Sequence, residues 1–132
     1  MNKAKFADSG ACKNWNYAKK LAVGDTCYFE LPSKYTWDAA RTACPTGSTY
    51  TGSPNYQHLV DVCNAIVAQN GDGTAAPFNS GNHWTATDVN GSNYGWLVNF
   101  GSNPGYLCVA NGIYAGTGFG KGYSYYVLCE GK

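Results

Sequence analysis

Apolar side chains recur at helical spacing in two stretches of the chain. In the first stretch, Thr36 is a good N-cap, and Pro45 is a residue that ends helices. These signals predict a helix over residues 37–44, with Asp38 favourably placed in its first turn. The stripe of this helix consists of Trp37, Ala40, Arg41 and Cys44.

The second stretch predicts a helix that begins at Ser53, with Pro54 at the first helical position. Asn70 and Gly71 supply its C-terminal stop. Each predicted helix carries one cysteine on its stripe, which favours a covalent link to the core. The stripe of the second helix consists of Tyr56, Leu59, Val60, Cys63, Ile66 and Val67.

Most of the β-prone stretches follow the helices, and glycines separate them. A chain in which the helices come early and the strands come late is typical of an α+β domain with an antiparallel sheet, and not of alternating βαβ units. We therefore expect two helices packed on a small antiparallel sheet with long loops. The predicted strands are residues 26–30, 83–87, 96–100, 106–110 and 123–129.

Composition and charge exclude two classes of protein. The chain has 132 residues, a length typical of one domain. Its charged residues make up only 13% and its formal net charge is +1, so the basic field of a nucleic-acid binder is missing. No apolar run approaches the roughly 18 residues of a membrane span. We expect neither a nucleic-acid partner nor insertion into a membrane.

The first residues of the chain form a separate segment. Residues 1–11 are polar and lack the apolar core of a signal peptide. We interpret them as an N-terminal tail or junction, and residues 12–132 as the folded domain. Two explanations stay open: a protein made without a cleavable signal, or a piece of a larger secreted chain, which the cysteines favour.

The cysteines indicate a disulfide framework. The chain has six of them, and none stands in the C-x-x-C pair that zinc and thioredoxin-like sites use. Three disulfides in an oxidising compartment are the interpretation we favour, so the protein would be secreted or lie on the surface of a cell or virion. The alternative is a reduced cytosolic protein with buried thiols. The sequence alone leaves open the pairing of Cys12, Cys27, Cys44, Cys63, Cys108 and Cys129.

Four motifs follow one another in a specific order over residues 12–130. Together they resemble a long-form C-type-lectin-like domain: its N-terminal hairpin, first helix, central tryptophan strand and closing strand. The motifs are Cys12-x-x-Trp15 with Cys27-Tyr28-Phe29, then Thr36-Trp37-Asp38-Ala39-Ala40-Arg41-Thr42-Ala43-Cys44, then His83-Trp84-Thr85-Ala86, and finally Tyr126-Val127-Leu128-Cys129-Glu130.

A narrower likeness lies in residues 84–87, residues 95–100 and the terminal Tyr-Val-x-Cys. This pattern resembles bacterial members of the same superfamily. Such members occur at the tips of surface adhesins, in phage receptor-binding proteins and in the variable proteins of diversity-generating retroelements. All of these present a loop face for binding, which the resemblance implies for this chain as well.

The resemblance also implies two disulfides, Cys12–Cys27 and Cys44–Cys129. Cys63 and Cys108 then remain as a third pair, which departs from the usual late pair of the family. The calcium site is a second departure, because the Glu-Pro-Asn or Gln-Pro-Asn and Trp-Asn-Asp motifs of sugar-binding members are absent. Asp88 is the only carboxylate between Trp84 and Cys129, and Ca²⁺ prefers several. We expect no calcium, no other metal and no cofactor.

The loops after Trp84 are enriched in Tyr, Asn, Ser and Gly. Antibody loops use the same residues, because Tyr supplies contact area and the others supply adaptable hydrogen bonds. Ordinary turn chemistry is the alternative, since Gly, Asn and Ser also dominate turns. The candidate ligand-binding residues are Asp88, Asn90, Ser92, Asn93, Tyr94, Asn103, Tyr106, Asn111, Tyr114 and Tyr123.

Catalytic signals are missing from the sequence. It holds no Gly-x-Ser-x-Gly elbow, no His-Glu-x-x-His and no phosphate-binding loop. His58 and Asp61 stand three apart on the second predicted helix, and we interpret them as a polar pair on a solvated face. We expect no enzyme activity.

These observations predict a calcium-independent extracellular binding domain that recognises a surface glycan or a protein receptor, as in adhesion. One alternative is the globular head of a secreted fibre or pilin-like subunit, either a homo-oligomer or fused to an upstream fibre segment. Another is a variable ligand-binding protein of a diversity-generating retroelement. Such retroelements mutate adenines, so that Asn codons become codons for Asn, Tyr, Ser, Asp or Gly, which are the residue types of these loops. Fold does not fix function, so the three hypotheses stay open.

Overall fold

The computed structural model describes residues 10–53, 55–89, 93–101, 105–111 and 120–131. Residues 1–9 of the predicted tail lie outside this part. A short 3-10 turn spans Gly10–Cys12. The helices are α1, Trp37–Ala40, and α2, Tyr56–Asn70. The strands are β1 Lys20–Val23, β2 Thr26–Glu30, β3 Ser48–Tyr50, β4 Asn82–Asp88, β5 Gly95–Asn99, β6 Val109–Asn111 and β7 Leu128–Gly131.

The strands form two antiparallel sheets, where the sequence predicted one. One sheet has the order β1-β2-β7-β3 and the other has the order β4-β5-β6. β7 lies between β2 and β3, so that Cys129 pairs with Phe29 on one side and Tyr50 on the other. The sheets meet just before β7, where the Trp84 amide donates to the Tyr126 carbonyl at 3.0 Å. The α+β class is confirmed, with two sheets that share one junction.

The side chains of β5 and β7 alternate between two hydrophobic cores. Leu97 and Cys129 face the first core, whereas Val98 and Leu128 face the second. α1 packs on the first core through Trp37, and α2 packs on the second. The largest fully buried side chains of the first core are Phe29, Trp84, Leu97 and Val127; those of the second are Leu21, Leu59, Ile66, Val98, Phe100 and Leu128.

α1 is shorter than predicted. Thr36 is its N-cap in extended backbone, but its side chain makes no capping hydrogen bond. After Ala40 the chain tightens, because the Thr42 amide donates to the Ala39 carbonyl and the Ala43 amide to the Ala40 carbonyl. These i to i−3 bonds replace the α-helical pattern before the chain reaches Cys44. The prediction that the helix runs to Cys44 is therefore wrong.

α2 begins later than predicted and ends where expected. Its N-cap is Asn55, whose side chain accepts from the His58 amide at 3.3 Å, and Ser53 lies before it. Pro54 lies outside the described residues. Gly71 caps the C-terminus with φ 71°, a left-handed conformation that glycine adopts without strain, and its amide donates to the Val67 carbonyl.

Among the predicted strands, residues 26–30 match β2, and β4 and β5 lie within a residue of the predictions. β6 begins later than predicted because Cys108 has φ 60° in the preceding turn. β7 also begins late, since Tyr125 and Tyr126 form isolated bridges instead. β1 and β3 were not predicted.

Three disulfides staple these elements. They join Cys12 to Cys27, Cys44 to Cys129, and Cys63 to Cys108, and the described residues contain no free cysteine. These pairs coincide with the two that the resemblance implied and with the pair that remained. Three disulfides are consistent with an oxidising, extracellular environment. Neither described helix has the length and hydropathy needed to cross a membrane.

Candidate functional site

The loop after β4 and the segment before β7 come together beside α1. The Lys121 amide donates to the Asn93 carbonyl at 2.7 Å, and the Trp37 amide donates to the Lys121 carbonyl at 3.1 Å. Tyr94 forms an antiparallel bridge with Gly120. We call this region the loop surface. Its side chains are Asp88, Asn93, Tyr94, Lys121 and Tyr123.

Trp37 lies beneath the loop surface. The Lys121 ammonium lies 4.2 Å from the centroid of the Trp37 ring, and the Arg41 guanidinium lies 4.0 Å from it. Lys121 also pairs with Asp88, with 2.7 Å between Nζ and Oδ1. A Cβ on Gly95 would stand 2.5 Å from Trp37 Cδ1, so only glycine permits this approach of β5. These contacts hold the Lys121 ammonium and the Asp88 carboxylate in one place.

An exposed aromatic residue, Tyr123, follows Lys121 by two positions in the chain. Tyr123 is 59% exposed, and its ring stacks on Tyr125 with centroids 6.4 Å apart. Tyr125 in turn meets the buried Trp84 edge-on at 4.8 Å. The exposed ring is therefore supported by the first core. A ring supported in this way loses little side-chain entropy when a ligand stacks on it.

The predicted ligand-binding residues divide into three places and a group outside the described residues. Tyr106 precedes the turn at Cys108 and lies near the Asn99 end of β5, whereas Asp88 pairs with Gly95 at the other end. The two ends are roughly 13 Å apart at the usual rise of a strand. Asn111 lies on β6, across β5 from β4. The loop surface takes in Asp88, Asn93, Tyr94 and Tyr123, and the positions outside the described residues are Asn90, Ser92, Asn103 and Tyr114.

Sequence reasoning missed the parts that Trp37 and Lys121 play in this region. The sequence placed Trp37 on the stripe of the first helix, and the residue is indeed buried. Lys121 did carry a signal, because it is the only Lys or Arg between Arg41 and Lys132. An isolated cation within a nearly uncharged stretch was the clue to a specific partner.

A second feature is a cleft of about 750 Å³ between α1 and α2. It follows the edge strand β3, where Tyr50 lies on the face of the first core and Thr49 and Glu130 lie on the opposite face. We call it the helix cleft. The polar side chains that line it are Arg41, Ser48, Thr49, Tyr50, Ser53, His58 and Glu130.

His58 takes a different partner from the one predicted. Its Nε2 lies 2.6 Å from Oε1 of Glu130 on β7, and the two side chains are 40% and 21% exposed. Asp61 instead accepts from Gln57 at 3.0 Å. The packing of α2 against the sheet supplies a carboxylate that helix spacing could not reveal. In the described part of the chain, no Ser or Thr hydroxyl bonds to the His58 ring.

Tyr50 is buried beside the helix cleft, and its hydroxyl has no hydrogen-bond partner in the described structure. Burial raises the pKa of Tyr50 well above its ordinary value of 10.0, and the positive charge of Arg41 opposes the shift. The folded protein therefore keeps this proton at a pH where the unfolded chain has lost it. The resulting stability is present below pH 10 and is lost as the pH rises above that value.

We expect Tyr50→Phe to reduce the pH dependence of the free energy of unfolding above about pH 8. The free energy of unfolding of the wild type should fall between about pH 8 and pH 11, and the variant should lose less. Urea unfolding at both pH values measures the difference. A variant whose stability falls as steeply as that of the wild type would contradict the assignment.

A second histidine–carboxylate pair is buried in the core. His83 Nε2 lies 2.5 Å from Glu30 Oε1, and the two side chains are 0% and 1% exposed. Glu30 also accepts from the amide and the side chain of Asn79, and His83 Nδ1 lies 3.0 Å from the Gly81 carbonyl. The enclosed pair links β2, which carries Glu30, to β4, which carries His83. Within the described residues, no three His, Cys, Asp or Glu side chains cluster as metal ligands do.

Comparison with known proteins leaves the family open. No protein-family model matches the chain, and no curated protein matches it. One solved structure, described as that of an EPNH mutant of CEL-I, aligns with 89% of this chain and 96% of its own at 14% identity. The TM-score of that alignment is 0.43, which is too low to carry an argument about fold or function.

Proposed function

We propose that this chain is a C-type-lectin-like, extracellular binding domain that recognises a surface glycan through the loop surface, without calcium and without catalysis. The observation that carries the proposal is the exposed ring of Tyr123, which stacks on Tyr125 and follows Lys121 of the Lys121–Asp88 pair by two residues. The three disulfide pairs and the order of helices and strands support the lectin-like fold.

The chemistry of the loop surface favours a sugar as the ligand. Sugar rings present one apolar face to an aromatic side chain and display hydroxyls around their edge. Tyr123 supplies the aromatic face, and the Lys121 ammonium and Asp88 carboxylate supply a donor and an acceptor. Charge-assisted hydrogen bonds of this kind are about twice as strong as neutral ones. Because Trp37 and the backbone bonds hold these groups in place, little ordering is left for the ligand to impose.

A glycan array with two variants tests this proposal. We expect binding that survives EDTA and falls by about tenfold or more in Tyr123→Ala, as for a central aromatic contact. Tyr106→Ala is the matched control, because Tyr106 is 57% exposed but lies near the opposite end of β5. The control should bind as the wild type does.

Three outcomes would contradict the proposal. Binding abolished by EDTA would exclude calcium independence. Equal losses in both tyrosine variants would exclude the loop surface as the site. An array without any bound glycan, together with binding to protease-sensitive sites on cells, would indicate a protein receptor instead.

A further inference from the structure

The helix cleft holds polar groups whose hydrogen-bonding capacity the described residues do not use in full. Among residues 10–53, 55–89, 93–101, 105–111 and 120–131, none forms a hydrogen bond with the Tyr50 hydroxyl, although this side chain is nine-tenths buried. The Arg41 guanidinium has five N–H donors, and within the described structure one nitrogen, Nη2, bonds to Asp38 at 2.9 Å. An unpartnered buried hydroxyl costs stability, and proteins keep such groups where a ligand or water completes them.

The two sides of the helix cleft differ in chemistry. Arg41 and Tyr50 present donors, which suit an anionic acceptor. The His58–Glu130 pair and the hydroxyls of Thr49 and Ser53 also line the cleft. These groups include acceptors, which suit the hydroxyls of a ligand. A guanidinium prefers a carboxylate, because two parallel N–H groups match its two oxygens.

The geometry points to a second binding site in the helix cleft, for a small hydroxylated acid such as an acidic monosaccharide. Its carboxylate would accept from Arg41 and Tyr50, and its hydroxyls would bond to the His58–Glu130 pair. The cleft volume of about 750 Å³ lies within the range of small-molecule sites. This site is separate from Tyr123, so it does not depend on the function proposed for the loop surface.

Titration of the ¹⁵N-labelled protein with sodium glucuronate, glucose and sodium acetate tests the site. We expect glucuronate to shift the amides of Thr49, Ser53 and His58 in a saturable way, and to bind about tenfold or more tightly than either glucose or acetate. The comparison separates recognition of a carboxylate from recognition of hydroxyls. Equal binding of glucose, or no saturable shift at these amides, would overturn the proposal.

Two variants and one control connect the binding to the named groups. Arg41→Gln should weaken glucuronate binding about tenfold or more, whereas Lys34→Gln should leave it unchanged. Lys34 is the matched control because its ammonium also lies over an aromatic ring, that of Tyr126, but does not line the cleft. Undiminished binding in Arg41→Gln would overturn the proposal.

Tyr50→Phe adds a measurement that a merely structural role would not reproduce. The substitution removes the unpartnered hydroxyl and keeps the ring, so the folded protein should be as stable as the wild type or more so. Glucuronate binding should nevertheless weaken. A variant with unchanged affinity would show that the hydroxyl does not serve the ligand. Glycan binding that depends on Tyr123 but coexists with an empty cleft would overturn this inference alone.

Discussion

Removing the Cys44–Cys129 disulfide with a double alanine substitution is expected to lower the free energy of unfolding by about 4–5 kcal/mol. The bond joins residues 85 positions apart, so it removes much of the conformational freedom of the unfolded chain. It also ties the turn after α1 to the central strand of the four-stranded sheet. A loss of this size is a large part of the stability of a typical domain.

The Cys12–Cys27 disulfide is the matched control, because its separation is only 15 residues. Its removal should cost about 3 kcal/mol by the same chain-entropy argument. Urea unfolding of the two double variants, with the remaining disulfides verified by peptide mapping, gives both free energies. If the shorter link costs as much as the longer one, the loop-length explanation does not hold for this protein.

The second large effect is expected at the buried Glu30–His83 pair. Glu30→Ala should lower the free energy of unfolding by about 3–5 kcal/mol, because it leaves His83 buried without the partner of its Nε2. The substitution would also remove the hydrogen-bond acceptor of Asn79, whose amide and side chain both donate to Glu30. His83 itself is held by stacking on Phe100 at 4.0 Å, so it cannot easily turn towards solvent.

The His58–Glu130 pair provides a control of the same chemistry. Its atoms are 2.6 Å apart, nearly as close as in the buried pair, but its side chains are partly exposed. Glu130→Ala should therefore cost about 1 kcal/mol or less, as exposed ion pairs do. Chemical unfolding of both variants under one buffer condition makes the comparison. Similar losses would mean that burial does not set the strength of these pairs.

Local signals in the sequence were sufficient for much of the secondary structure. The stripe of α2 and its Gly71 cap lie within one stretch of chain, so the prediction of that helix needed no knowledge of the fold. The end of α1 could not be predicted in this way, because the turn after Ala40 leads into a disulfide with a distant strand. β3 was missed for a similar reason. It has three residues, and its partner is β7.

The candidate site likewise has one part that the sequence could indicate and another that it could not. Composition indicated Asp88, Asn93, Tyr94 and Tyr123, since residue types are visible in the sequence. It could not indicate that these loops meet at Trp37, because that contact joins three separate segments. His58 was assigned to Asp61, its neighbour on the helix, whereas its partner Glu130 is 72 residues away. Contacts set by tertiary packing are those that one sequence does not reveal.

The central position of β7 has a consequence for how the chain acquires its structure. During synthesis the residues of β2 and β3 emerge long before those of β7, which must later insert between them. Until then both strands present open edges, and open edges invite pairing with other chains. Pairings such as that of Phe29 with Cys129 give the domain a high contact order, which slows folding. A nascent chain of this topology is therefore exposed to aggregation until β7 is in place.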